Sequence, residues 1–540
     1  MAAPIVFVTP PVTKPSEPSL SGPAAAGPLR SLGVPARAID ASIGWYEHVS
    51  HAERLEQLVA ASTGGPERAT AFRRHVRSVT ARPHPLRRAE TYRSRKVYSS
   101  AITHLDGVLE LVSSPYPGMR VRVADVSVAG QRPESRAALL DFAQRPGPFD
   151  EYLVRKLIPE IAASGAGHVA ISLTFQNQAV GAFRLAQLLR EHLPGAKRVL
   201  GGPLIACWKA TGIEPRGGAF DLFDDTVAGH DQDLAALAAE LGASPARTVA
   251  SGAAAAGPLS VDLDEPRWDS YLSPLPVIPV ALARGCYWRR CTFCPDHLHP
   301  QQRACAPEAL ELWLDAVAAR FPAGAMLHMT DSALPPKHLD RLARAVAERA
   351  LPLRWHGFVR PERVFADEGF AQRLALGGCE MLQIGVESAS PRLLELMGKG
   401  ADVEVMRRML RALHGVGIRS QVYLLFGLPT ETDEDREQTL RFVEEEAEAI
   451  CDLNHALLNL PRGSPMHQQP ARFGISEVIA FHADTDLSLY DDFRCGASHP
   501  RVEARRWLDH RFLKSKAVRE ILGDLRGPFK ANHTCFLPRR

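Results

Sequence analysis

Three of the chain's nine cysteines, Cys286, Cys291 and Cys294, fall within nine positions of the stretch ARGCYWRRCTFCPDH, residues 283–297. Thiolates bind soft metals, and three of them hold an ion or a cluster while leaving one corner open. Two chemistries fit. With His297 or His299 as a fourth ligand the set would be an ordinary Cys3His zinc site in a non-catalytic binding protein. Without a fourth protein ligand, it would hold three irons of a [4Fe–4S] cluster and leave the fourth for an exogenous ligand. Structural zinc sites usually pair two short ligand knuckles, whereas here one run sits on one loop. The other cysteines, Cys207, Cys305, Cys379, Cys451, Cys495 and Cys535, are scattered and form no disulfide framework, as in a cytoplasmic, reducing setting.

Six strand-like segments alternate with helices around this loop. VIPVALARG (277–285) leads directly into it, and AMLHMT (325–330), LRWHGFV (353–359), EMLQIGVE (380–387), RSQVYLLFG (419–427) and LNHALLN (453–459) follow. Between them, sets such as Leu310, Leu314, Val317 and Phe321, or Met406, Met409, Leu410 and Leu413, recur at helical spacing. Strands alternating with helices predict a parallel sheet, and six such units predict an incompletely closed (βα)6 barrel. Reactive groups in such folds lie at the carboxyl ends of strands, where Cys286, Asp331, Arg360, Glu387 and Gly427 all fall.

The N-terminal part has a different rhythm. IVFVTPP (5–11), ARAID (36–40), HVAISLT (168–174), RVLGGP (198–203) and FDDTVAGHD (223–231) read as strands running into turns and helices, the doubly wound α/β pattern. The expected organisation is a doubly wound domain over 1–245 interrupted by a partly helical insertion at about 43–165. An Ala/Gly/Pro-rich linker over 246–275, the barrel over 276–466 and a small C-terminal region over 467–540 complete it.

Composition sets the remaining bounds. Hydrophobic residues make up 45% and charged residues 23% of 540, with a formal net charge of +3 and no long basic run, which argues against nucleic acid as a partner. The N-terminus lacks the basic start and apolar core of a signal peptide, and no segment approaches the length of a membrane span.

The cysteine loop resembles that of the radical S-adenosylmethionine (radical SAM) enzymes, whose usual motif is C-x3-C-x2-C with an aromatic before the last cysteine. Phe293 fills the aromatic position, and the first spacing is one residue longer, C-x4-C-x2-C. HMTDS (328–332) lies where that family contacts the methionine amino group, implicating Asp331, although the usual Gly-Gly-Glu is absent. QIGVESAS (383–390) resembles the motif whose acidic residue meets the SAM ribose, implicating Glu387. LLFGLPTET (424–432) resembles the glycine motif beside adenine, implicating Gly427, and Arg360 and Phe293 complete the SAM-binding set that the resemblance implies. It further implies SAM as the fourth-iron ligand, a 5′-deoxyadenosyl radical, and an external electron donor such as flavodoxin or ferredoxin.

A doubly wound domain ahead of such a barrel resembles the cobalamin-dependent branch of the family. ISLTFQNQ (171–178) and LGGP (200–203) resemble its corrin-cradling turns, implying contacts from Thr174, Gln176 and Gln178 and close backbone approach at Gly201 and Gly202. The Asp-x-His-x-x-Gly motif is absent, as is normal where cobalamin binds without a lower histidine. The resemblance implies a C-methyltransferase acting on an unactivated carbon of a natural-product or peptide substrate. The nearest alternative keeps both cofactors and performs a cyclisation or rearrangement without methyl transfer.

Overall fold

The computed structural model describes residues 4–62, 65–228, 231–242, 257–298, 303–523 and 529–538. Five short strands, Ile5–Thr9, Ala36–Asp40, His168–Ser172, Lys197–Gly201 and Asp225–Val227, form a parallel sheet in the spatial order second, first, third, fourth, fifth. Successive side chains point to opposite faces, so each strand feeds two cores. Ile5, Phe7 and Val199 pack with Leu29 and Leu237 on one side, while Val6, Val8, Val169 and Ile171 pack with Phe183 on the other. In this order the direction in which strands are added to the sheet reverses between the first and third strands, and their carboxyl ends open a crevice there.

The long connection between the second and third strands is helical and shares the core of that sheet. Helices Ala52–Ala61, Gly65–Val79 and Arg95–Ser113 carry Leu55 and Val59, Phe72 and Val76, and Ile102, Leu105, Leu109 and Val112 on their buried faces. Arg95 also donates to the carbonyls of Cys451 (3.0 Å) and Ile521 (3.3 Å), which ties the insertion to the second half of the chain.

That half is built on a seven-stranded sheet. Its six parallel strands, Val277–Ala281, Ala325–Met329, Leu353–Val359, Cys379–Glu387, Arg419–Phe426 and Ile450–Leu457, stand side by side in chain order, and Leu259–Ser260 adds an antiparallel edge to the first. Among the described residues no pairing joins the first strand to the sixth, so the barrel is open. Val280, Leu327, Trp355, Ile384, Val422 and Leu453 face outward onto Leu314, Leu342, Leu374, Met409 and Leu440 of the surrounding helices. The alternate residues face the lumen. At its floor Val277, Met326 and Met381 meet Cys535 and Phe536, so the C-terminal segment around Lys530–His533 plugs the barrel from below.

The C-terminal region bridges both sheets. Leu487 belongs to the N-terminal core and Phe493 to the barrel core, and Trp208 Nε1 donates to the Leu487 carbonyl at 2.9 Å. Among the described residues no helix is long and apolar enough to cross a membrane.

Candidate active site

The cysteine loop leaves the first barrel strand and is held from three sides. Asp331, at the end of the second strand, accepts from the backbone N–H groups of Leu282 (3.0 Å) and Ala283 (2.8 Å), so it sets the exit angle of the loop. It is almost fully buried, and burial raises its carboxyl to about 6. On the far side Thr292 donates from its backbone to Met397 O (2.8 Å) and from its hydroxyl to Leu396 O (2.9 Å).

The additional residue between Cys286 and Cys291 has a visible consequence. Arg289 adopts a left-handed conformation, φ 54°, which absorbs it. Trp288 is pinned beside it. Its ring lies beneath the Arg360 guanidinium at 3.6 Å, and its Nε1 donates to Gly398 O at 2.9 Å. Gly400 leaves the space that the ring fills, since a Cβ there would stand 2.2 Å from it. Tyr287 donates to Glu362, and burial with that carboxylate pushes its phenol up.

The three thiols lie close enough to act on one another electrostatically, and all are half-buried and outside any disulfide. Burial raises Cys291, opposed by the nearby Lys399 and Arg360 cations, and raises Cys294 to about 12. Arg360 is buried, with Nη2 donating to Lys399 O (2.5 Å), its Nε 4.0 Å from Glu362, and Nε and Nη1 lacking hydrogen-bond partners. Glu387 pairs with Lys399 at 2.9 Å and sits at φ 64°, where a bulge in the fourth strand turns it out of the sheet. Phe293 packs half-buried on the barrel core. Gly427, at φ 73°, ends the fifth strand; its N–H donates to Glu431 (2.6 Å) and it packs against Pro500 and Arg501.

The second set of expected residues gathers at the carboxyl ends of the N-terminal sheet. Ser21 Oγ accepts from the hydroxyls of Ser172 (2.9 Å) and Thr174 (3.0 Å) across the crevice. Gln178 is fully buried and organises the turn, accepting from the backbone of Thr174 and Phe175 and donating to Pro10 O. Gln176 donates to Pro133 O (2.6 Å). Gly202, at φ 108°, lies so close to Leu173 that a Cβ would stand 2.6 Å from its carbonyl, and at Gly201 it would stand 3.2 Å from Val227 O.

The two sets come within electrostatic reach of one another at one point. Cys207, on the helix Pro203–Ala210 that follows Gly202, feels the charge of Asp296 just beyond Cys294, and Tyr490 feels both Cys207 and Cys294.

Comparison with known proteins locates the family resemblance on the same segment. The family model described as "Radical SAM superfamily" matches residues 280–443, which contain the cysteine loop and the carboxyl ends of five barrel strands. Residues 280–443 are a radical SAM domain. A Pyrococcus horikoshii protein described as an uncharacterized methyltransferase is 26% identical over 166 residues, 30% of this chain and 36% of that one. The bacteriochlorophyllide d C-12(1)-methyltransferase of Chlorobaculum tepidum is 28% identical over 109 residues, 20% of this chain. The chain thus spans about a third and a quarter of the length of these two relatives, 36% and 23%. The fold extends well past the radical SAM domain. The radical SAM methyltransferase TsrM from Kitasatospora setae superposes with a TM-score of 0.52 at 16% identity, covering 87% of this chain and 76% of that one.

The donor set of the radical SAM domain fits the cluster it implies. His299 and the side chain of His297, the alternative zinc ligands, lie outside the described residues. Three thiols on one loop, beside the Lys399 ammonium and an Arg360 guanidinium with two nitrogens free of hydrogen bonds, suit an anionic cluster and a carboxylate-bearing ligand. Lys399 and the pinning role of Trp288 carry no motif of their own in the sequence; both emerge from the packing of the loop on the segment after the fourth strand.

The glycine turn of the radical SAM domain rests on a buried ion pair, Arg436 with Glu431 at 3.1 Å, and burial raises Glu431 to about 7. Because its folded value lies above its ordinary one, the stability linked to Glu431 is greatest at low pH and falls as pH rises through about 7. Arg436→Met strands the carboxylate, so a loss of about 3–5 kcal/mol is expected at pH 8 and a smaller one at pH 6, where Glu431 takes up a proton. Thermal unfolding of both proteins at the two pH values checks this; an equal loss at both would show that the charge of Glu431 is not what Arg436 compensates.

Proposed function

We propose that this chain is a cobalamin-dependent radical SAM methyltransferase that methylates a carbon of a small-molecule or peptide substrate. The observation that carries the reading is the approach just described, with the N-terminal sheet's side coming within electrostatic reach of the cysteine loop at Cys207, Asp296 and Tyr490. Two cofactor sites that exchange a one-carbon group must share one chamber. The fold match to TsrM, a methyltransferase also solved with cobalamin and a [4Fe–4S] cluster bound, supports it, as do two relatives described as methyltransferases.

When bound, the reduced cluster with SAM supplies a 5′-deoxyadenosyl radical and cobalamin supplies the methyl group. The chain's own contribution is binding and orientation. Cys286, Cys291 and Cys294 hold the cluster, while Arg360 and Lys399 balance negative charge beside it. Asp331 fixes the loop against the second strand, Glu387 accepts from ribose hydroxyls, Phe293 covers the cluster, and Gly427 leaves room for adenine. Thr174 and Gln176 line the corrin crevice, Gln178 holds its turn, and Gly201 and Gly202 admit close backbone approach. The electron enters from an external donor such as flavodoxin or ferredoxin. Residues 1–245 act as the corrin domain, 246–275 as linker, 276–466 as the barrel and 467–540 as the clasp between them.

The test is anaerobic reconstitution with iron, sulfide and hydroxocobalamin, followed by desalting, absorption spectroscopy and turnover with SAM and dithionite. Corrin bands on a broad iron–sulfur absorption, with 5′-deoxyadenosine formed, are expected. Iron–sulfur absorption without corrin would overturn the cobalamin assignment, and a colourless protein would overturn both.

A further inference from the structure

The loop that leaves the first strand of the N-terminal sheet does not stay with that sheet. Residues 14–17 run along the linker toward the barrel, Pro15 O accepting from Leu272 N and Ser16 O from Ser273 Oγ, both at 2.7 Å. Glu17 thereby reaches the lumen. Its Oε1 accepts from His328 Nδ1 (2.7 Å) on the second barrel strand and from Asn532 Nδ2 (2.8 Å) on the C-terminal plug.

Several polar atoms around this point lack partners, although Lys14, whose Nζ donates to Asn532 Oδ1 (3.2 Å), brings one ammonium within electrostatic reach of Glu17. Glu17 Oε2 and Gln383 Oε1 are buried without partners, and so are both ring nitrogens of the fully buried His356. His356 stacks on His328 at 4.5 Å, and burial holds it well below the ordinary histidine range, hence neutral. A carboxylate oxygen and an amide oxygen only accept, and a neutral imidazole offers one accepting and one donating nitrogen, so three of these four atoms await a donor and one an acceptor. Buried polar atoms left unpaired in a folded protein call for a ligand or water.

One pleat nearer the strand ends the lumen is open. Thr330 and Asn454, two residues beyond His328 and Asp452 on the same face, are exposed, and Phe358 and Tyr423 form a half-buried aromatic wall with ring centroids 4.6 Å apart. The acceptor-rich floor therefore lies beneath a basin that opens toward the cysteine loop.

We propose that Glu17 is a substrate anchor, and that the substrate carries a primary ammonium group held by Glu17 on the floor formed by His328, His356 and Gln383. An ammonium supplies three donors and the charge that complements the carboxylate, and the aromatic wall receives the apolar part beside it. The inference rests on the reading that substrate enters the barrel mouth. It places substrate selection on a residue contributed by the N-terminal half of the chain.

Full-length protein reconstituted anaerobically is titrated calorimetrically with benzylamine, benzyl alcohol and benzoate as probes of one size. Benzylamine is expected to bind at least roughly tenfold more tightly than the other two, as one charge-assisted hydrogen bond predicts. Glu17→Gln is expected to remove that advantage and leave benzyl alcohol unchanged. Should this variant fail to fold, Glu17→Asp decides, because withdrawing the carboxylate by one methylene must weaken benzylamine selectively. Benzoate binding as tightly as benzylamine, or either variant binding benzylamine like the parent, would overturn the anchor. Iron content and 5′-deoxyadenosine formation are read on the same samples. Their loss with benzylamine selectivity intact would remove the radical SAM methyltransferase reading and leave the anchor standing.

Discussion

Cys286→Ala, Cys291→Ala and Cys294→Ala are each expected to reduce iron uptake to background and to lower 5′-deoxyadenosine formation by more than roughly 100-fold. Even loss of an outer partner of a metal ligand typically costs 10–100-fold, so loss of the ligand itself exceeds that. The three positions are not interchangeable with the other thiols. Cys305 and Cys495 are also half-buried and free, but Cys305 donates its backbone N–H to Leu282 O, and neither belongs to the loop held by Asp331 and Thr292. Cys305→Ala and Cys495→Ala are therefore the controls and are expected to retain iron. Iron analysis and the visible spectrum after reconstitution settle the comparison. Full iron in the Cys294→Ala variant would show that the cluster, if present, uses other ligands. The same result in all three would remove the loop from the site altogether.

What could be read from the sequence and what could not divides along physical lines. The six barrel strands and the five N-terminal strands are short apolar runs bounded by turn residues, and both periodicities are local properties of the chain. The cysteines, Asp331, Arg360, Glu387 and Gly427 could be placed at strand ends for the same reason. Three features escaped that reading because their cause is non-local. Glu17 sits in a Pro- and Ser-rich loop that carries no periodicity, and its partner His328 is 311 residues away. Cys535 and Phe536, which form the plug, belong to the three-residue 3-10 turn Thr534–Phe536, too short to show a face. The segment 43–165 reads as an Arg- and His-rich insertion, yet its helices complete the N-terminal core, because their apolar residues are spread thinly over long amphipathic faces. Asp331 and Glu387 stand at strand ends, a local property, but their partners, two backbone amides and Lys399, come from packing that no spacing encodes.

Gly400→Ala is expected to abolish cluster incorporation while leaving the two sheets folded, because it attacks the contact that holds the lengthened Cys286–Cys291 spacing in place, between the Asp331 and Thr292 anchors. Gly400 has φ 62°, a conformation that costs an L-residue about 1–2 kcal/mol before any contact is considered. An added Cβ would stand 2.2 Å and 2.5 Å from two ring carbons of Trp288, so the ring must leave. It cannot shift slightly, since its Nε1 is committed to Gly398 O and its face to the Arg360 guanidinium. Trp288 lies two residues after Cys286 and three before Cys291, so expelling it changes the distance between the first two thiols. Arg360 then loses the aromatic surface that covers its buried, partly unpaired guanidinium. Trp288→Phe is the graded companion: it keeps a ring in the space and removes only the indole hydrogen bond, a loss of about 1 kcal/mol. It should therefore bind iron at reduced stability rather than lose it. Gly415→Ala, where a Cβ meets nothing within 4 Å, is the neutral control. Iron content, the visible spectrum and thermal unfolding of the three variants separate the possibilities. Normal iron uptake by Gly400→Ala would show that Cys286 and Cys291 are positioned by Asp331 and Thr292 alone, and that the tryptophan clamp is packing without consequence for the cluster.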